Sequence, residues 1–473
     1  MLTKSLLSTK DDIGTVYLSD NLVLRGIKHQ KETEVLALLN CGLIDRLVEE
    51  GFFPRTSISR QQLRGYSLVL EHEKIDPVVY PYEWSPEMLR RAGLVLLEIN
   101  NIANEFGYEL KDSHVYNMVY RYCQPVYVDF GSLVKRNTNY KWVAYERFLS
   151  AYICPLKIYK IGGTGVFKNF FLVSGQGILL SEYWLLKNSF LRILGRSIID
   201  KISRYICLYK NINNIPSNIV EKKFKYKILG NIISKLMSSR YLDFTKFNPH
   251  RLSEELKGIQ WSHTTTWGTY HQRVGLYLEN GEANLSNRMK TVLELVESLG
   301  IQSVTELAGN QGVLARQIAK LPTVKRVNCT DYDENAIDRL FLNLSTHEKV
   351  TPIVLDFMRT PIGGRGFTAS SRMKSDLVIS LAVTHHLILG QNYSLDAIFT
   401  NIFSFTTQYA IIEFMPLGLY SKRLHSGPPV PEWYCEDWFV TTLIDYGDIK
   451  KRVELEKNRI LYLIETTPKI SSQ

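Results

Sequence analysis

One stretch in the last third of the chain constrains the fold more than any other: Ser303-Val-Thr-Glu-Leu-Ala-Gly-Asn-Gln-Gly312. An apolar run at 304–307 ends in a turn of small residues, and a helical pattern (Val313, Leu314, Ile318, Ala319) begins at once. Strand, tight turn and helix in that order make the first unit of a doubly wound α/β nucleotide-binding fold. The alternation continues toward the C-terminus. Helices are expected at 313–321, 334–344, near 395–405 and at 436–446, between strands at 324–330, 351–355, 376–382 and 409–414. Two further strand-like runs, 453–455 and 460–466, close the chain, and a helix at 287–299 precedes the motif.

A chain of 473 residues is too long for one ordinary core, so two or three domains are expected. Hydrophobic residues at 45% and charged residues at 22% describe a globular protein. The first ten residues lack the apolar core of a secretory signal, and no apolar run approaches the roughly 18 residues of a membrane span. The six cysteines form no C-x-x-C pair, which argues against a zinc site or a disulfide framework and for a reduced, cytosolic setting. The net charge of +10 is unevenly placed: −1 over 1–150, +12 over 151–260 and −1 over 261–473. Two near-neutral domains flanking a basic connector is the division this predicts.

In the first 150 residues a helix is expected at 32–50. A second starts at Ser85-Pro86, with Ser as N-cap and Pro in the first turn, and ends near Gly107. Next come Leu110-Lys-Asp-Ser-His-Val-Tyr-Asn117 and Pro125-Val-Tyr-Val-Asp-Phe-Gly131. Over 84–131 this layout resembles the catalytic and metal-binding loops of protein and small-molecule kinases. The resemblance implies that Asp112 orients a hydroxyl nucleophile while Asn117 and Asp129 hold magnesium. No G-x-G-x-x-G loop or V-A-I-K strand precedes them, so 1–150 reads as a degenerate kinase-like α+β domain whose polar residues cap turns. An active phosphotransferase is the alternative.

In the connector, Gly162-Gly-Thr-Gly165 lacks the Lys-Ser/Thr of a phosphate loop and reads as a turn. Lys222-Lys-Phe-Lys-Tyr-Lys227 alternates basic and aromatic residues. Such a run either faces solvent or docks an anionic surface, and in the second case binding to anionic vesicles falls with salt.

Carboxylates stand at the ends of three expected strands: Glu306, Asp331 and Asp356. Open α/β sheets bind ligands at those ends. Asp331 follows Gly312 at the distance from which an acid reaches a ribose diol, and Asp356 is placed to meet an adenine amino group. The G-x-G-x-x-G of a dinucleotide site is absent. Instead Glu306-Leu-Ala-Gly-Asn-Gln-Gly312 resembles motif I of class I S-adenosylmethionine-dependent methyltransferases. Glu306 and Gly312 match it, while Ala308 and Asn310 stand where glycines are commoner. Asn tolerates a left-handed backbone best among other residues, and Ala is small.

The resemblance covers about 261 to the C-terminus. It implies a Rossmann-like, seven-stranded domain with S-adenosylmethionine held by Glu306, Ala308, Gly309, Asn310, Gly312, Asp331 and Asp356. After the fourth strand comes Leu381-Ala-Val-Thr-His-His-Leu387, where class I enzymes place acceptor-side residues. Methyl transfer needs alignment and, for a hydroxyl or amine, a base near neutral pKa. His385 or His386 fits that role, with Glu413 as partner or second candidate; packing or helix capping is the plainer role for each histidine. The Asn-Pro-Pro-Tyr/Phe signature of nucleic-acid N-methyltransferases is absent, which argues against nucleic acid.

Taken with Trp142-Val-Ala-Tyr, these motifs resemble two-part methyltransferases of the nodulation-protein NoeA type along nearly the whole chain. That resemblance implies methyl transfer to a small-molecule, glycan or lipid-linked acceptor in host-specific nodulation, without metal. A regulatory scaffold built from two degenerate enzyme folds and an RNA methyltransferase guided by 151–260 are the competing readings.

Overall fold

The structure, a computed structural model, describes residues 3–4, 11–19, 22–137, 142–161, 171–172, 177–179, 182–183, 249–262, 265, 267–270, 285–360, 368–420, 425–456 and 458–467. The chain clusters into two compact units that alternate along the sequence. One comprises Met1–Ala92, Met118–Val128 and His263–Gln473, the other Gly93–Asn117 and Asp129–Ser262. This differs from a division at 150 and 260, because the first ninety residues group with the C-terminal domain. The turn at 162–165 and the Lys222–Lys227 run lie outside the described residues.

In the first unit β1 (Thr3–Lys4), β2 (Gly14–Leu18) and β3 (Leu22–Ile27) are followed by α1 (Glu32–Asn40) and α2 (Leu43–Glu49), then β4 (Thr56–Ile58) and β5 (Leu68–Glu73). The strands form an antiparallel sheet in the order β1-β2-β3-β5-β4. The helix expected at 32–50 is two helices, because Gly42 takes φ +84°, a left-handed conformation that ends one and starts the next. Helix α3 (Pro86–Glu105) starts where the Ser85-Pro86 pair places it, and Ser85 Oγ accepts the Met88 N–H at 3.4 Å. Asp338, from 251 residues further on, accepts the Glu87 N–H at 2.9 Å and completes the cap.

Four short strands follow, β6 (Tyr108–Leu110), β7 (Met118–Arg121), β8 (Gln124–Tyr127) and β9 (Leu133–Lys135). β7 pairs with β8 in the first unit, and β6 with β9 in the second. The second unit continues with α4 (Tyr145–Phe148), a π-helical turn, α5 (Cys154–Lys160) and α6 (Pro249–Gly258). Trp142 Nε1 donates to the Leu110 carbonyl at 2.7 Å, and Gly93 gives α3 a smooth face against Leu256 and Tyr152.

The rest of the first unit is the alternating domain: α7 (Asn287–Leu299), β10 (Ser303–Leu307), α8 (Val313–Ile318), β11 (Arg326–Asp331), α9 (Glu334–Asn343), β12 (Val350–Val354), α10 (Ala369–Arg372), β13 (Ser375–Ser380), α11 (Leu395–Phe403), β14 (Thr406–Phe414), α12 (Glu436–Leu443), β15 (Gly447–Glu456) and β16 (Arg459–Thr466). Seven strands lie in the order β12-β11-β10-β13-β14-β16-β15. The first five are parallel, and β16 enters antiparallel between β14 and β15. Val304, Leu307, Val327, Leu377, Ile379 and Ile411 are buried, the near-continuous apolar content that a sheet covered on both faces requires. The order reverses beside β10, between β11 and β13. That is the switch point at which such sheets open a crevice above their carboxyl ends.

Candidate active site at the carboxyl ends of the parallel strands

The loop from β10 to α8 is wound tightly. Ala308, Asn310 and Gly312 take φ of +55°, +53° and +64°. For the two residues with a Cβ this conformation costs on the order of 1 kcal/mol each, and such strain gathers where a backbone must meet a ligand. Gly309 has no room for a side chain: a Cβ there meets Cys329 Sγ at 2.7 Å and Glu306 Oε2 at 2.9 Å. Neighbouring structure holds the turn in place. The Gly309 N–H donates to the Thr330 carbonyl at 2.8 Å, and the Asn310 N–H to Asp331 Oδ2 at 2.9 Å. The side chains of Asn310 and Gln311 donate to the carbonyls of Trp267 and Gly268 at 3.0 and 2.8 Å. A segment far from the loop in sequence is thereby fixed across it.

Two carboxylates are buried beneath this loop. Glu306 closes on Cys329 at 3.9 Å, and burial pushes its carboxyl up to about 8. Asp331 accepts one backbone N–H on each oxygen, from Asn310 at 2.9 Å and Asp333 at 2.8 Å, and burial pushes it up to about 7. A carboxylate has about four acceptor positions, and with the Tyr332 N–H also acting on Asp331 it keeps room for a further donor. Neither acid has a salt-bridge partner within 4.0 Å among the described residues. Asp356 is exposed just after β12 and uses Oδ1 to accept the Met358 N–H at 3.0 Å. Tyr332, directly after Asp331, is an exposed aromatic. The local pattern is two buried acids without an ion-pair partner among the described residues, beside an exposed aromatic, suited to a cationic ligand that also donates hydrogen bonds.

Across β10 from these acids lies the segment after β13. Ala382 takes φ +54°, and His386–Gly390 forms a π-helical turn. Single π turns within helices recur at functional sites. His385 and His386 lie with ring centroids 4.2 Å apart, and His386 meets the Trp267 ring edge-on at 5.4 Å. His385 is buried, its Nδ1 has no hydrogen-bond partner, and burial followed by the neighbouring His386 and Arg459 lowers its pKa to about 3. His386 is only partly covered, and burial lowers it too. Ser380 Oγ, at the end of β13, is likewise buried without a partner. Glu413 has no exposure. Arg288 Nη1 donates to one of its oxygens at 3.1 Å and Arg459 Nη1 to the other at 2.8 Å. A carboxylate held this way serves as a counterion for two guanidinium groups, so the geometry favours that role for Glu413 over proton acceptance.

Sequence reasoning did not single out Arg288, Arg459, Gln311 or Tyr332. Tyr332 carried a usable signal, being the residue beside the expected ribose acid. The arginines carried none, because only folding brings them to Glu413.

In the second unit Asn117 Nδ2 donates to Asp112 Oδ2 at 3.4 Å and to Asp129 Oδ2 at 3.2 Å. The spacing thus places the three polar side chains together. Asp129 also accepts the Gly131 N–H at 3.1 Å and Asp112 the His114 N–H at 3.0 Å, both of them turn caps. Among the described residues no group of three or more His, Cys, Asp or Glu is arranged to hold a metal ion.

A seven-stranded sheet ordered 3-2-1-4-5-7-6, with its last inserted strand antiparallel and an acidic small-residue loop after the first, defines the class I methyltransferase fold. The chain is similar to Nodulation protein NoeA of Rhizobium meliloti (strain 1021), with 24% identity over 451 residues that cover 86% of this chain and 84% of that protein. No family model matches. Among solved structures it resembles N-methyltransferase NodS from Bradyrhizobium japonicum WM9 in complex with S-adenosyl-L-homocysteine (14% identity, TM-score 0.32, 42% of this chain and 99% of that one). It also resembles an S-adenosylmethionine-dependent methyltransferase from Clostridium acetobutylicum ATCC 824 (13%, 0.31, 42% and 99%). At these scores the strand order carries the fold assignment, and the matches add no weight. Among the described residues no helix is long and apolar enough to cross a membrane.

Proposed function

We propose that the chain is an S-adenosylmethionine-dependent methyltransferase acting on a small-molecule, glycan or lipid-linked acceptor, in a nodulation role like that named for its relative. One observation carries the reading: Glu306 and Asp331 are buried at the ends of adjacent strands, and among the described residues neither has an ion-pair partner within 4.0 Å. The cofactor fits this donor set. Its charged amino group suits Glu306, its ribose hydroxyls suit the room left on Asp331, and Asp356 stands where an adenine amino group is met. The tight backbone of Ala308, Gly309, Asn310 and Gly312 leaves room for a close approach. When bound, the sulfonium group supplies an activated methyl.

The remaining work belongs to the protein. Alignment and exclusion of water fall to the loop and to Trp267. A hydroxyl or amine acceptor needs a group to take its proton. His386 suits this better than His385, because it is partly open and less depressed, whereas His385 stays neutral over the whole physiological range. Residues 1–150 fit a degenerate kinase-like element, a reading supported by the commitment of Asp112 and Asp129 to turn capping and to Asn117.

Incubating the protein with methyl-labelled S-adenosylmethionine and fractionated polar and lipid extracts of a nodulating bacterium tests the assignment. Label is expected in one fraction and lost with His386→Ala. Label in no fraction, from protein that binds the donor, would favour the scaffold reading.

A further inference from the structure

We infer that Trp267 is a positioning residue for the acceptor step, set against His386 by the same residues that hold Asp331, so that filling the donor site builds the acceptor wall. The inference deepens the methyltransferase reading and rests on it. Three residues bring backbone N–H groups to the Asp331 carboxylate: Asn310, Asp333 and Tyr332. Each turns its side chain to the segment around Trp267. Asn310 Nδ2 donates to the Trp267 carbonyl at 3.0 Å, and Asp333 Oδ1 accepts the Thr265 hydroxyl at 2.8 Å. The Tyr332 hydroxyl meets the Trp267 indole N–H. The backbone of each residue thus serves the proposed ribose acid while its side chain fastens the segment that carries Trp267.

That segment is a tight turn with few ways to deform. The Trp267 carbonyl also accepts the Tyr270 N–H at 3.0 Å, and the Thr265 hydroxyl also accepts the Gly268 N–H at 3.0 Å. Gln311 Nε2 donates to the Gly268 carbonyl at 2.8 Å. A Cβ on Gly268 would meet Thr265 Oγ1 at 2.7 Å and Asn335 Cβ at 2.8 Å, so the turn lies flush on the loop after β11. Beyond these ties the Trp267 ring meets His386 edge-on at 5.4 Å, and the Tyr270 ring stands 5.5 Å from Trp267. The turn therefore bridges the acid on one side of β10 and the histidine on the other. A donor that engages Asp331 selects its ionised form, whose bonds to the Asn310 and Asp333 amides are the stronger ones. Firmer amides fix the two side chains that fasten the turn, and Trp267 settles on His386. The coupling runs both ways, since a fastened turn also favours the bound donor.

The test is modification of His386 in the full chain by diethyl pyrocarbonate at neutral pH, with and without saturating S-adenosylhomocysteine. Peptide mass spectrometry locates the label, and the exposed His347 is the internal standard. In the wild type the ligand is expected to slow labelling of His386 about fivefold relative to His347, the scale of one hydrogen bond. Thr265→Val removes the ties to Asp333 and to the Gly268 N–H, and Trp267→Ala removes the ring. Both are expected to lose the protection with the ligand still bound, while Thr265→Ser, which keeps the hydroxyl, is expected to retain it. By reciprocity Thr265→Val is expected to weaken S-adenosylhomocysteine about fivefold in calorimetry. Protection that survives in either Thr265→Val or Trp267→Ala overturns the inference, because the ligand then covers His386 by itself. So does a wild type that binds the ligand without protecting His386. Failure of S-adenosylhomocysteine to bind the wild type is a separate result and sinks the methyltransferase reading itself.

Discussion

Glu306 and Asp331 set the chemistry of the cleft through where they are, not only what they are. With folded pKa values of about 8 and about 7, both take up protons on folding that the unfolded chain has already released above pH 5. Stability of the ligand-free protein is therefore expected to fall as pH rises from about 5 toward 8, by up to about 1.4 kcal/mol per pH unit for each group. A cationic ligand selects the ionised acids, so its affinity should run the other way, rising over the same window. Thermal unfolding with and without S-adenosylmethionine at pH 5.5, 7 and 8.5 checks both signs, and Glu306→Gln should flatten each trend. The histidines make a second residue-scale prediction. His386→Ala should lower kcat about a hundredfold with donor affinity kept, as expected for loss of a proton acceptor. His385→Ala, at a buried neutral ring, should act mainly on stability. Equal kcat losses in the two would contradict the assignment. Much of this was readable in advance, since Glu306, Asp331 and the left-handed Asn310 follow from residue type and position. The Arg288–Glu413–Arg459 cluster was not, because partners more than 40 residues apart leave no local pattern.

Elements were legible where one face or both are buried. The strands β10 to β13 and helices α7 and α9 lie within about two residues of their expected limits. The misses have identifiable causes. β15 runs from Gly447 to Glu456, longer than the 453–455 run expected, because Lys450, Lys451 and Arg452 on this edge strand mask its alternation. Gly42 splits a helix whose apolar spacing passes through the break undisturbed. α10 is the element with the largest leverage for its length. Its Arg372 forms a buried two-pronged pair with Glu83, stacks over the Tyr80 ring at 4.5 Å and donates to the Val78 carbonyl. Glu83 is completed by the Tyr80 N–H at 2.8 Å. Removing one side of such a pair strands the other charge, so Arg372→Ala should cost about 3–5 kcal/mol in chemical denaturation. A loss under about 1 kcal/mol would show the pair to be incidental.

At the scale of the whole chain, composition and charge suggested segments in sequence order, whereas the compact units interleave. Buried polar ties such as Arg372–Glu83 and Asp338 with the start of α3 draw the N-terminal sheet into the unit that contains the seven-stranded sheet. Neither composition nor periodicity reports pairings across 250 residues, so this part of the architecture was hidden while the α/β order was plain. In the proposed function the buried acids at the switch point bind a sulfonium nucleoside. Isothermal titration of the full chain with S-adenosylmethionine, wild type beside Asp331→Ala, tests it most directly. One site per chain is expected in the wild type and affinity at least tenfold weaker in the variant, the scale of two lost hydrogen bonds to a charged group. No binding to the wild type, or binding that Asp331→Ala leaves unchanged, would contradict it.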